Sequence, residues 1–265
     1  MEVLFSSING ILAAYLWPLF RISSMLMVMV VFGANTTPVN VRVLLSVAIS
    51  VAVAPMLPPM PEIPLFSLPA IFVTFQQILI GVATGLVSIL LVQTFVLTGQ
   101  IIGMQTSLGF ASMVDPGSGQ QTPVISNFFL LLSTLIFLIV DGHLLMIRMI
   151  ITSFETIPVS TSGIAIERYQ DLAMWVSYMF GAALTMSISA IVALLLINIS
   201  FGVMTRASPQ LNIFAIGFPI TMISGLVIIW LTLEPIMSHF GEVWQAAQVL
   251  ICDLLALQCQ VPAMP

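Results

Sequence analysis

The chain has 265 residues, of which 60% are hydrophobic and only 6% are charged, and its mean hydropathy is +1.18. That composition is typical of membrane proteins and excludes an ordinary soluble globular domain. With no lysine, five arginines and a net charge of −5, the chain lacks the basic surface that binding to a run of phosphates requires, so nucleic-acid binding is excluded.

The N-terminal third predicts one long helix, one short helix and a rigid connector. Ile8 to Phe32 has roughly membrane-spanning length and carries Arg21 near its middle. A lone arginine at that depth costs about 2.5 to 3.5 kcal/mol on insertion scales, so we expect Arg21 to face protein or water. A shorter apolar stretch runs from Val43 to Leu57. The proline-rich segment after it, up to Pro69, predicts an extended connector.

The third apolar segment is too long for a simple membrane span. A helix from Ala70 to Gly103 would be about 51 Å long at about 1.5 Å per residue, well over the ~30 Å hydrocarbon core. We therefore expect it to tilt, to break or to extend beyond the bilayer into a protein assembly. One face carries small residues that permit close helix approach. The glycines of this face are Gly81, Gly85, Gly99 and Gly103.

A polar, glycine-punctuated loop follows this helix. Asp115-Pro116 ends any helix, because the residue before a proline is pushed out of the α region. Bare hydrocarbon is excluded as its location, since unpaired backbone groups there are costly. Met104 and Met113 flank Phe110 and are candidates for a deformable apolar seal. The residues selected in this loop are Met104, Gly109, Phe110, Met113, Asp115, Pro116 and Gly117.

The region from Val124 to Phe154 predicts a further helix, interrupted by charge. Asp141, Arg148 and Glu155 recur every seven residues, so they share one face of a continuous helix. We interpret this face as an ion-pair ladder, within one chain or between subunits. The alternative is a proton relay built on Asp141 and His143.

A polar connector from Thr156 to Asp171 divides the chain into two unequal parts. Two uncharged runs, Leu172 to Thr205 and Ile213 to Leu233, predict a helical hairpin, and Pro219 is expected to kink or break its second arm. Glu242 to Gln258 predicts a last, amphipathic helix. The polar hairpin tip contains Arg206, Pro209, Gln210 and Asn212.

These segments predict an all-α, integral membrane-type protein with broken and kinked helices and about six spans by hydropathy. The sequence contains no phosphate-binding loop, metal motif or nucleophile motif, so neither an enzyme nor a cofactor is predicted. Cys252 and Cys259 are seven residues apart, which is neither a metal nor a redox spacing.

Two long runs of the sequence resemble a known family. GMQTSLGFASMVDPGSGQQTPVISNFF, followed by IFLIVDGHLLMI and SFETIPV, resembles the FliR family of flagellar export-gate proteins. RASPQLNIFAIGFPI resembles the C-terminal signature of the same family, so the resemblance covers nearly the whole chain. It implies a FliP-like part, residues 1–158, and a FliQ-like hairpin with the last helix, residues 159–265. It also implies that residues 104–123 are the plug loop of the family.

The resemblance implies a non-enzymatic subunit that forms and plugs the flagellar export channel with FliP and FliQ, with FlhB alongside. It further implies a place in the bacterial inner membrane within the flagellar basal body, contact with membrane lipid, and passage of unfolded flagellar export substrates. Three alternatives stay open: an injectisome gate subunit of the SctT type, a proton-coupled secondary transporter and a passive membrane scaffold. A transporter would be expected to show internal repeats with paired broken helices, and no such symmetry is visible.

Overall fold

The computed structural model describes residues 2–34, 37–61, 63–64, 67–106, 124–160, 164–207 and 213–259. Over these residues the structure is helical, with no β-strand, so the all-α prediction is confirmed. A short 3₁₀ turn, Ala54–Met56, follows the second helix. The α-helices are α1 Glu2–Val28, α2 Val39–Val53, α3 Leu68–Gln105, α4 Val124–Ile139, α5 Gly142–Thr156, α6 Ile166–Ala207, α7 Ile213–Thr232 and α8 Ile236–Leu254.

Two of the helices are much longer than a bilayer is thick. α3 has 38 residues and α6 has 42. At about 1.5 Å per residue these helices extend roughly 57 Å and 63 Å, so neither fits within ~30 Å of hydrocarbon without tilt or protrusion. The overlong third helix predicted from the sequence is therefore present and continuous.

The number of candidate membrane spans is lower than the hydropathy count suggests. Within the described ranges, three helices are long and apolar enough to cross a membrane, namely Val39–Met56, Leu68–Gln105 and Glu167–Met204. The number rises to five if each of two bent helix pairs counts as one span. The predicted six is too high because the apolar part of α1, Leu12–Val28, is too short.

The helix predicted from Val124 to Phe154 is broken near its middle. α4 and α5 are bent by 61° at a short break that contains Asp141, whose φ is 53°. Aspartate tolerates this left-handed conformation better than most residues do, and the Asp-Gly pair is a turn signal. Asp141 therefore precedes α5 instead of lying within a continuous helix, and the shared face predicted for Asp141, Arg148 and Glu155 is wrong for Asp141.

Pro219 does not break the second arm of the predicted hairpin. α7 continues through Pro219, and the chain instead bends by 61° between α7 and α8, where Pro235 follows Glu234. The residue before a proline is disfavoured in the α conformation, which ends the helix there.

The chain forms two compact units that are interleaved in sequence. Unit 1 contains residues 1–90, 137–176 and 245–265, and unit 2 contains residues 91–136 and 177–244. In unit 1, Trp17, Val73 and Phe154 belong to one buried apolar cluster, against which Leu57 of the proline-rich connector packs. In unit 2, the rings of Phe95 and Phe240 stack with centroids 5.5 Å apart. The FliP-like and FliQ-like division at residue 158 remains a prediction.

The last helix buries the face that its amphipathic pattern predicts. Val243, Ala247 and Ile251 are at most 3% exposed. Cys252, in the last turn of α8, forms a disulfide with Cys259, which lies beyond the helix, and the bond closes a short C-terminal loop. The seven-residue spacing gave no sign of this bond, because only the turn that ends α8 brings the two thiols together.

Candidate functional site

Arg21 lies at the point where α1, α3 and α5 meet in unit 1. Its side chain is fully buried. The guanidinium donates hydrogen bonds to Gln77 Oε1 at 2.7 Å, to Ser153 Oγ at 3.0 Å and to the carbonyl oxygen of Ile157 at 3.0 Å. It also lies over the Phe154 ring, 4.1 Å from the centroid. Arg21 therefore faces protein, as predicted, and its cation is held by polar groups and an aromatic ring.

Removing the Gln77 acceptor is expected to destabilise unit 1. Gln77→Leu leaves Arg21 Nε as a buried donor on a charged group, so we expect a loss of about 1.5 to 3 kcal/mol in unfolding free energy. The double variant Arg21→Met with Gln77→Leu removes the stranded charge as well. Its loss should be smaller than the sum of the two single losses. Denaturant unfolding of the four proteins in detergent micelles measures this coupling, and strict additivity would contradict it.

The first half of the glycine face permits close contact between α3 and α1. Gly81 and Gly85 are buried, and a Cβ built on Gly81 would overlap Ser24 Oγ and the carbonyl oxygen of Arg21. A Cβ on Gly85 would lie 2.7 Å from the carbonyl oxygen of Met25, closer than real Cβ atoms approach. Only glycine fits where the two backbones come this close.

The second half of the same face contacts the helix that follows the loop. A Cβ on Gly99 would lie 2.9 Å from Ser126 Cα and 3.0 Å from the Phe129 ring. Both of these residues belong to α4, so α3 and α4 pack closely just before and just after the predicted plug loop. Gly103 is also buried. Val96 of α3 is only 7% exposed and also belongs to the buried side of this helix.

The start of the plug loop is held by the hairpin. Thr106 is 1% exposed, and its hydroxyl donates to the carbonyl oxygen of Gly103 at 3.0 Å. A Cβ on Gly225 of α7 would overlap Thr106 Cγ2, so α7 approaches this residue as closely as its glycine allows. Met104 points away from this contact and is 73% exposed.

The remaining selected loop residues lie outside the described ranges. The structure begins again at Val124, the first residue of α4. The sealing role of the loop therefore stays a prediction, with its anchors now located. The positions concerned are Gly109, Phe110, Met113, Asp115, Pro116 and Gly117.

The selected charges of the α4 to α5 region do not pair with one another. Asp141, Arg148 and Glu155 are all exposed, and within the described ranges none of them forms an ion pair with another residue of the chain. A ladder inside one chain is therefore wrong, and a ladder between subunits stays a prediction.

His143 Nδ1 is buried with no hydrogen-bond partner in the described structure, and its ring meets Phe32 edge-on with centroids 6.5 Å apart. No ion pair joins His143 to Asp141 there, so the geometry provides no relay between them.

Of the four residues selected at the hairpin tip, the structure describes only Arg206. Arg206 is exposed in the last turn of α6. Pro209, Gln210 and Asn212 lie outside the described ranges. In the part of the chain that the structure describes, no group of three or more histidine, cysteine, aspartate or glutamate side chains is arranged to hold a metal ion.

Three contacts of this site could not be read from the sequence. Gln77 and Ser153 bind Arg21 across 56 and 132 residues, and nothing in their local sequence marks them as its partners. Gly225 lies in an apolar run, where a single glycine is the only indication of close helix approach. Local patterns identify small or charged residues in helices, but long-range contacts decide which of them meet.

Comparison with known proteins agrees with this architecture. Residues 12–247 match the family described as "Bacterial export proteins, family 1". Flagellar biosynthetic protein FliR of Pectobacterium carotovorum is 36% identical, over 86% of this chain and 87% of that protein. FliR of Escherichia coli K12 is 33% identical over the same shares. FliR of Bacillus subtilis is 26% identical over 95% of this chain and 98% of that protein.

Proposed function

The chain belongs to family 1 of the bacterial export proteins, and from this membership we propose that it closes a protein-export channel with the loop between α3 and α4. Its FliR relatives along most of its length make it a subunit of the flagellar export apparatus. Its role in that apparatus is to build and seal a channel. No catalytic step is assigned to it.

One observation carries the gating role: both ends of the loop are attached to closely packed helices. Gly99 of α3 meets Ser126 of α4, and Thr106 meets Gly225 of α7. Gly99 meets backbone atoms of α4 and Gly225 meets the Thr106 side chain, and in both contacts there is no room for a further carbon atom, so the helices are closely packed at each end of the loop. A long segment between two fixed points can change its own conformation while the scaffold stays in place, which is what a gate requires.

The composition of the loop suits a seal. Phe110, with Met104 and Met113, brings apolar bulk with adaptable shape, and a narrow apolar constriction excludes water and ions. Gly109 and Gly117 permit backbone conformations that other residues resist, which allows the loop to rearrange when a substrate enters. We propose that unfolded flagellar proteins displace this seal during export.

The exposed apolar surface favours assembly with other subunits. Leu184, Ile188 and Leu195 of α6 are each more than half exposed, although the helix is too long to be covered by lipid alone. We propose that FliP and FliQ cover this surface, with FlhB alongside, in the bacterial inner membrane at the flagellar basal body. Closely packed partners would also explain helices that exceed the thickness of the bilayer.

Co-purification tests this assignment. When the chain is expressed with FliP and FliQ, native mass spectrometry should find it in one stable complex with both. Expressed alone in mild detergent, it should aggregate or bind other membrane proteins, because its apolar helices remain uncovered. A stable, monodisperse monomer with no affinity for FliP would contradict the proposal.

A further inference from the structure

Unit 1 contains an open cavity of about 580 Å³ between α5 and the C-terminal end of α8. Leu145, Met149 and Leu257 give it apolar walls, while Arg148 and Gln248 provide polar side chains. None of the described residues that line it is acidic. The cavity is therefore positively charged and partly apolar, in a chain whose net charge is −5.

Arg148 is available to a ligand, unlike the other arginines of unit 1. Arg21 donates three hydrogen bonds, Arg42 donates to the Ala34 and Thr37 carbonyl oxygens, and Arg168 donates to the carbonyl oxygen of Leu254. Across the described structure, the guanidinium of Arg148 makes neither a hydrogen bond nor an ion pair. An exposed, unpaired guanidinium presents a planar fork of donors that matches carboxylate and phosphate oxygens.

Gln248 provides a second donor that has no partner in the described protein. The residue is 7% exposed and lines the cavity, yet its side-chain amide makes no hydrogen bond to any described residue. Because Gln248 lines the cavity, its amide N–H groups can donate to a ligand that enters there.

The wall opposite α5 is held in place by three links. Leu257 N–H donates to the carbonyl oxygen of Cys252 at 2.8 Å across Ala256, whose φ is 52°, which is the Schellman end of α8. The disulfide between Cys252 and Cys259 closes the same loop. Thr156 Oγ1 donates to the carbonyl oxygen of Leu255 at 2.6 Å and ties the loop to α5. The cavity is thus shaped before any ligand arrives, which favours binding.

We propose that this cavity binds a phosphate group, carried by a membrane phospholipid or present as a free ion. Arg148 pairs with the phosphate oxygens and the amide of Gln248 donates to one of them. The apolar walls formed by Leu145, Met149 and Leu257 favour the lipid as the source, because they would cover a glycerol backbone and the first methylenes of an acyl chain. This site is separate from the gate loop, and its occupancy does not depend on the proposed gating.

Titration of the full-length protein in non-ionic detergent tests the site. The probes are dioctanoyl phosphatidylglycerol, dioctanoyl glycerol, which lacks the phosphate, and inorganic phosphate. Arg148→Gln should weaken phosphatidylglycerol binding about tenfold, and Gln248→Leu about fivefold, from the usual strengths of charged and neutral hydrogen bonds. Arg206→Gln is the matched control, because it removes the same charge from an exposed position that does not line this cavity.

Binding of phosphatidylglycerol but not of inorganic phosphate would assign the site to lipid. Binding of both would support a phosphate site that does not require the glycerol and acyl chains of the lipid. Equal losses in Arg148→Gln and Arg206→Gln would overturn the proposal, since the effect would then be general charge. Equal binding of dioctanoyl glycerol would also overturn it. The proposal would also be overturned if phosphatidylglycerol did not bind and if the Arg148→Gln variant no longer assembled with FliP and FliQ. That pair of results would indicate that a carboxylate of a partner subunit occupies the cavity.

Discussion

Replacing Gly81 with alanine is expected to destabilise unit 1 by about 3 kcal/mol or more, the upper end of the usual cost of overpacking. The added Cβ would overlap Ser24 Oγ and the carbonyl oxygen of Arg21. A side chain can rotate away, but a carbonyl oxygen moves only with its helix, so α1 and α3 must separate. That separation would also disturb the hydrogen bond between Arg21 and Gln77, which joins the same two helices at 2.7 Å.

Gly181→Ala is the matched control for this substitution. Gly181 lies inside α6, and nothing stands within 4 Å of the position that its Cβ would take. Alanine there should be neutral or stabilising by up to about 1 kcal/mol, because glycine is the poorer helix former. Thermal unfolding of the purified proteins in detergent measures both variants. Similar melting temperatures for the two proteins would show that the close approach of α1 and α3 is not needed.

Deleting Leu108 to Met113 is expected to leave an assembled channel that conducts ions without export substrate. The deletion removes Phe110 and one flanking methionine, which we propose as the apolar seal, while α3 and α4 keep their contact at Gly99. Since water and ions are excluded only by a narrow apolar constriction, its loss should produce a standing leak. Single-channel recording of the purified complex in planar bilayers measures this conductance.

A second deletion separates the loss of the seal from a simple shortening of the loop. Removing Gly117 to Thr122 shortens the loop by the same six residues but keeps Phe110, Met104 and Met113. This variant should conduct much less than the first. If both deletion complexes assemble and stay as closed as the wild type, under conditions where the wild-type channel can be opened, the seal lies elsewhere in the complex.

The outcomes for particular residues show how far local patterns reach. The small-residue face of α3 was visible as a spacing, because residues on one helical face recur with a fixed period. The pattern did not distinguish Gly81, which meets α1, from Gly99, which meets α4. A period identifies a face but not the partner that the face meets.

Helix boundaries were predicted well where a strong local signal existed and poorly where two signals competed. The apolar run around Val140 predicts one continuous helix, whereas Asp141-Gly142 predicts a turn. The chain follows the turn signal and bends there by 61°. α7 continues through Pro219, and the chain bends instead near Pro235. Each local pattern favours one conformation by a small free energy, and tertiary packing determines which of the competing conformations the chain adopts.

The sequence by itself determined the membrane-type composition, the all-α class, the overlong third helix and the family, because these depend on composition, on periodicity and on long runs of matching residues. Only the tertiary structure decided that Gln77 and Ser153 hold Arg21, that Gly225 meets Thr106, and that Cys259, joined to Cys252, lines the same cavity as Arg148. These contacts join residues that are distant in sequence or on opposite sides of a turn. Hydrogen bonding and close packing depend on where the chain returns in space, which no local pattern encodes.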